Sequence, residues 1–267
     1  MTNLSPTDLQ IKSTVSTSRR NFIKGAQLAL GAGAALGVSV ALGKAALALD
    51  RLHLPGQPSS PGAEPCFLTG TRIQTASGPV AVEDLRIGDA VLTASGESKP
   101  IKWIGKREAS SEAPVKIAKF AIDGCAPLCD LYITQRHAVY IDGFLVPAIN
   151  LVNGISIVAN AKPELSTFTY YHIEFETHEV IQAEGLAVES YRPQHGVDFD
   201  NADEYFALYG PRAHAMVPFA PVLSYDSIKH ELASRVRSSL VVLYDMRKPL
   251  DRIRDRIADQ AELAQAA

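Results

Sequence analysis

The sequence predicts an all-β body from Cys66 to about Tyr191, followed by a helical tail. Short strand-like runs recur between turn residues, the spacing of a small all-β domain. Nothing in that region repeats apolar residues at the helical period. The end of the chain does: in PLDRIRDRIADQAELAQAA, over Pro249–Ala267, Leu250, Ile253, Ile257 and Leu263 mark one face and alternating charges cover the other. That helix is expected to pack on the β body or on a partner subunit.

In chain order, Arg72–Thr75 and Gly78–Val82 flank a turn at Ala76-Ser77 and read as a hairpin. Leu85–Asp89 reads as a turn into a strand over Ala90–Thr93, and Ser95-Gly96 makes the next turn. Ile101–Gly105 alternates apolar and polar residues. Val115–Ile122, Asp130–Ile133, Ala138–Ile141, Phe144–Pro147, Ile155–Val158 and Thr167–Phe175 continue as strands, and Asp142-Gly143 is the strongest hairpin turn of the set. Residues 192–225 are mixed and turn-rich. Ser227–Arg237 reads as helical.

The chain has 267 residues and a formal net charge of -3. That length gives room for one domain plus appendages. The charge excludes a nucleic-acid partner, which needs a basic face.

Residues 1–50 stand apart. SRRNFIK at 18–24 precedes GAQLALGAGAALGVSVALGKAALALD, an apolar run rich in small residues. Ala46-Leu47-Ala48 has the small-x-small form that signal peptidases cut. The segment resembles a twin-arginine export signal. The resemblance implies a bacterial protein exported already folded by the Tat machinery, to the periplasm or beyond the cell. An uncleaved membrane anchor is the alternative, weakened by the glycines and by Lys44, since a spanning helix wants about 20 strongly apolar residues. Residues 51–65, RLHLPGQPSSPGAEP, hold four prolines, two glycines and two serines, a linker composition.

Three cysteines are present. Cys125 and Cys129 enclose Ala126-Pro127-Leu128. They lack the second ligand pair of a zinc site, and either a loop disulfide or unpaired thiols fits them. No cofactor or metal is called for. Cys66 opens the β body. Thr134 and His137 lie in LYITQRHAVY, between two strands. His178 lies in TYYHIEFETHEVIQAEGLAVESY, between two more.

Taken in order, these pieces resemble the Hint module shared by hedgehog autoprocessing domains and inteins. The matching features are the opening Cys66, the Gly-Asp-x-Val-Leu stretch Gly88–Leu92, the Thr-x-x-His pair Thr134 and His137, and the closing strand pair with His178. The resemblance covers residues 66–191, leaves 192–267 as a C-terminal extension, and is nearest the bacterial, non-splicing type. It implies a Hint-type, horseshoe-like β domain that processes its own chain. Cys66 would attack the carbonyl of Pro65 and move the acyl group from nitrogen to sulfur, since a thiolate is intrinsically nucleophilic. His137 would protonate the departing amide nitrogen, general acid help worth about 10²–10⁴-fold. Thr134 would hold the peptide or the imidazole, and His178 would assist a later step. Catalytic candidates are therefore Cys66, Thr134, His137 and His178, with the N-terminal segment as substrate in cis. Each also has a structural reading: a buried thiol, a strand threonine, hydrogen-bonded core histidines. His172 stands where inteins often carry an acidic residue and is given no role. Asp89 is expected to shape a turn. His53, His195, His214 and His230 read as linker or surface residues.

The sequence departs from inteins at the closing strand. Ser190 takes the place of the terminal asparagine and Tyr191 that of the acceptor. Serine has no amide to cyclise, so splicing is excluded and thioester hydrolysis or transfer to an outside nucleophile remains. The ring of Pro65 crowds the attacked carbonyl and fixes φ, which predicts slow cleavage. Two other readings compete: an inert Hint-fold binding module whose terminal helix docks a partner, motivated by the thin segment before Cys66, and a secreted cysteine hydrolase acting on other molecules.

Overall fold

The computed structural model describes residues 65–110, 113–162, 167–193, 199–211, 216–224, 233 and 247–266. The leader and most of the linker, the four histidines read as linker or surface, and all but Ala233 of the helix expected over Ser227–Arg237 lie outside the described residues.

The described residues form strands β1 (Phe67–Leu68), β2 (Arg72–Thr75), β3 (Gly78–Ala81), β4 (Ala90–Leu92), β5 (Ser98–Pro100), β6 (Trp103–Ala109), β7 (Val115–Ile117), β8 (Leu131–Ile133), β9 (Ala138–Ile141), β10 (Phe144–Pro147), β11 (Ile157–Val158), β12 (Phe168–Glu174), β13 (Val180–Ala183) and β14 (Leu186–Glu189). Two helices follow, α1 (Ala202–Tyr209) and α2 (Pro249–Ala266). The all-β body and the terminal helix expected from the sequence are both present.

Two antiparallel sheets make the body. One runs in the order β11-β7-β8-β1-β12-β6; the other runs β10-β9-β14-β13-β2-β4-β5, with β3 added on β2. Their apolar faces share a core that includes Phe67, Ile73, Ile133, Val139, Ile181 and Val188. The hairpin β9–β10 turns at Asp142-Gly143, both in the left-handed region at φ 52° and 84°, as the tight turn demands.

β1 has only two residues, yet it lies in the middle of its sheet. Phe67 pairs with Ile133 of β8 on one side and with Tyr171 of β12 on the other. One step back along both registers, Cys66 falls opposite Thr134 and His172. Sheet register, a long-range property, therefore assembles the site.

α2 buries Leu250, Ile253 and Ile257 in the main core. Its next buried residue is Ala261, whereas Leu263 is 72% exposed. At about 100° per residue, Leu263 lies roughly 240° around the helix from Ile257 and leaves the stripe. The helix thus packs on its own β body. Within the mixed, turn-rich stretch 192–225 lies a short helix, α1. Asp203 and Glu204 in its first turn favour the positive end of the helix dipole. Gly210, at φ 69°, ends it. Only Tyr205 is buried there, so the eight-residue segment has no apolar stripe to announce it.

Candidate active site

Pro65 and Cys66 are both buried. The Cys66 amide donates to Thr134 Oγ1 at 2.9 Å, and the Thr134 amide donates back to the Cys66 carbonyl at 3.1 Å. This reciprocal pair fixes the peptide groups on both sides of Cys66, the Pro65–Cys66 link among them. Thr134 then turns the chain: its carbonyl accepts from the His137 amide at 3.1 Å. The three-residue spacing of Thr134 and His137 is the span of that turn.

His137 is buried, its ring edge-on to Phe67 with centroids 4.4 Å apart. Its Nε2 lies 3.0 Å from the Glu189 carbonyl oxygen, which accepts only from a protonated nitrogen. Nδ1 is left with a lone pair and has no hydrogen-bond partner among the described residues. Burial pushes the imidazole below its ordinary range. The charge of Glu189 and the peptide groups of Cys66 and Glu189 pull it partly back, and His178 pushes it further down.

The sulfur has a different neighbour. Cys66 Sγ lies 2.5 Å from His172 Nε2, and both residues are fully buried. The Tyr191 and Phe199 rings stand edge-to-face around the His172 ring, at centroid distances of 4.8 and 4.6 Å. His172 is the residue the sequence reading passed over. It sits in the run TYYHIE, which reads as ordinary strand alternation. Its usable signal was that it occupies the position where inteins often place an acid.

His178 is held by other partners. Its Nδ1 accepts the Phe219 amide at 2.8 Å, so Nε2 carries the proton and donates to the Ser190 carbonyl at 3.1 Å. The Glu189 carboxylate lies 3.4 Å from the same Nε2 and also accepts the Ala138 amide at 2.7 Å. Glu189 therefore touches both imidazoles, His137 through its carbonyl and His178 through its carboxylate. Ser190 is buried, and its Oγ accepts the Glu179 amide at 2.9 Å. The structure thus brings Cys66, Thr134, His137 and His172 together and sets His178 in the loop between β12 and β13, against the end of the closing strand.

Asp89 shapes a turn as expected, its carboxylate accepting the Arg86 amide at 2.8 Å. Cys125 and Cys129 are exposed free thiols.

Residues 65–195 match the family model described as Hint domain. Similar solved structures include the MchDnaB-1 intein carrying N145AA, 11% identical, with 46% of this chain and 98% of that chain covered and a TM-score of 0.36. The bacterial intein-like domain from Clostridium thermocellum is 19% identical, with 49% and 99% covered and a TM-score of 0.35. The DnaB intein from Synechocystis sp. PCC 6803 is 14% identical, with 47% and 98% covered and a TM-score of 0.34. No curated protein matches the sequence.

Proposed function

We propose, from the premise that residues 65–195 form a Hint domain, that this protein cuts its own chain between Pro65 and Cys66 by an N-to-S acyl shift and does not splice. The observation that carries the reading is the pair of contacts on one residue: Cys66 N–H on Thr134 Oγ1 and Cys66 Sγ on His172 Nε2. Nucleophile and leaving nitrogen are each addressed by a different side chain.

In the reaction, His172 takes the thiol proton and Sγ attacks the Pro65 carbonyl carbon. The new C–S bond forms as the C–N bond to Cys66 breaks. The departing nitrogen is protonated by His137 through Nδ1, the ring nitrogen not engaged by Glu189. A buried imidazole held below its ordinary range is, once protonated, a stronger acid than a free one. Thr134 keeps the peptide aligned while this happens. The thioester on Cys66 is then hydrolysed or transferred. Ser190 at the closing position has no side-chain amide, so the intein ending is closed to this chain. His178, donating to the Ser190 carbonyl, holds the strand end.

The substrate is the chain's own leader and tether. The twin-arginine resemblance of residues 18–48 adds that the body folds before export through the Tat machinery and is released on the far side. A hydrolase acting on added substrates is disfavoured, because the Cys66 sulfur is fully buried. Partner docking through the terminal helix is disfavoured too, since its apolar face is already used.

The test is intact mass after purification in reductant. Wild type yields a fragment beginning at Cys66 and Cys66→Ala does not; an uncut wild type overturns the proposal.

A further inference from the structure

β6 is the edge of its sheet. An edge strand presents a row of unpaired backbone groups. Here the segment 199–209, beyond the residues that match the Hint model, takes them one after another. Asn201 Oδ1 accepts from the Lys106 amide at 2.8 Å, and Asp200 Oδ2 accepts from the Glu108 amide at 2.9 Å. The Asp200 amide donates to the Lys106 carbonyl at 2.9 Å. Asn201 Nδ2 donates to the Ile104 carbonyl at 2.9 Å, and the Tyr209 hydroxyl to the Lys102 carbonyl at 2.6 Å. The strap sets Phe199 and Tyr205 edge-on to Trp103, and it sets Phe199 against the His172 ring. Gly105, opposite His172 in the ladder, has no side chain to obstruct Phe199.

We propose that residues 199–209 are a cap over the thiol–imidazole pair, with Phe199 as the positioning residue that keeps His172 on Cys66 and shuts out external nucleophiles. The cap is held mainly by side chain to backbone bonds at an edge, several of them exposed, so it can open without breaking either sheet. With the cap released, an external thiol or amine attacks the thioester carbonyl. Its new bond to that carbon forms, the C–Sγ bond breaks, Sγ leaves and takes back the proton that His172 holds from the first step, and the nucleophile's proton passes to water. This deepens the autoprocessing reading and rests on it for the acyl step, whereas access to Cys66 is measurable without any cleavage.

The experiment uses the full chain with Cys125→Ser and Cys129→Ser, reduced, and follows iodoacetamide alkylation of Cys66 by intact mass. Phe199→Ala is expected to accelerate alkylation by about 10-fold or more, as local opening replaces closed packing, while Phe199→Tyr restores the slow rate. Asp200→Ala combined with Asn201→Ala, which leaves every core side chain in place, is expected to do the same. Amide exchange should quicken at Lys106 and Glu108 and stay slow at Val139 and Val188. Unchanged alkylation in both variants overturns the cap. So does faster exchange throughout, which would make the segment a plain structural support. If wild type cleaves, the ratio of hydroxylamine product to hydrolysis product should rise in Phe199→Ala, and an unmoved ratio counts against the cap. If wild type stays uncut, autoprocessing falls and the alkylation series still decides the cap.

Discussion

His172 Nε2 meets Cys66 Sγ at 2.5 Å across 106 positions of sequence, because β1 slots between β8 and β12 in a single register. His172 is the imidazole against the sulfur, while Thr134 holds the amide and the carbonyl of Cys66; under the proposed mechanism His172 takes the thiol proton. His172→Asn keeps the ring's approximate size and removes its basic nitrogen. Release of the Cys66-starting fragment is expected to slow by about 10²–10⁴-fold, the ordinary worth of positioned acid–base help. A time course by intact mass checks this. A wild-type rate in His172→Asn would assign the proton to another group.

Thr134→Val replaces a hydroxyl with a methyl of similar shape. It leaves the buried Cys66 amide without its 2.9 Å acceptor. An unsatisfied buried donor costs about 1–3 kcal/mol, so the unfolding free energy from urea melts should fall by that much, lowering the midpoint, and cleavage should slow. Thr134→Ser restores the acceptor and should recover most of both. Equal midpoints for the valine and serine variants would show that the hydroxyl contributes nothing.

The hairpin β9–β10 was legible to the residue, since Asp142-Gly143 is a local turn signal and the flanking strands pair with each other. β6 was not. The sequence reads Ile101–Gly105, whereas the strand runs Trp103–Ala109 because a seven-residue ladder with β12 extends it. Thr134 and His137 could be picked out because Thr-x-x-His is a local motif, which the structure shows to be joined by a turn. His172 could not, because nothing within TYYHIE says which neighbour it faces; that depends on two residues of β1 over a hundred positions away. The cap was hidden for a similar reason, since its hold comes from polar side chains reaching β6 rather than from an apolar stripe.

Burial lowers the proton affinity of His137 in the fold, against the opposing pull of Glu189. Below its ordinary value of 6.5, the unfolded chain binds a proton that the folded chain resists. Stability is thus full above pH 6.5 and is lost as pH falls beneath it. The slope from this one site reaches at most about 1.4 kcal/mol per pH unit. Urea midpoints on either side of that pH should differ more in wild type than in His137→Gln. The same difference in both would remove His137 from the acid response.

Ile253 and Leu263 separate the two sides of α2. Ile253→Ala opens a cavity where the helix meets the body and should cost about 2–5 kcal/mol. Leu263→Ala removes a side chain that is 72% exposed and should leave the thermal midpoint nearly unmoved. Comparable losses would mean that the helix packs through a different face.

Gly105 tests the packing beneath the cap. A Cβ there would stand 2.7 Å from Trp103 Cζ3 and 2.8 Å from Phe199 Cδ1, closer than carbon atoms approach, so one ring must move. Trp103 is fully buried within the strand ladder, whereas Phe199 hangs on the hydrogen-bonded strap, and Phe199 should yield first. Overpacking of this kind costs about 1–3 kcal/mol. The chain has one tryptophan, so its fluorescence reports on this spot alone, and Gly105→Ala should lower the thermal midpoint and shift emission to the red as water reaches the indole. Gly143→Ala is the control. At φ 84° with no atom near the added Cβ, it should cost about 1–2 kcal/mol through backbone strain and leave emission unchanged. Were Gly105→Ala to match Gly143→Ala in emission, Phe199 would not be seated against Trp103, and the strap would lose its grip on the site.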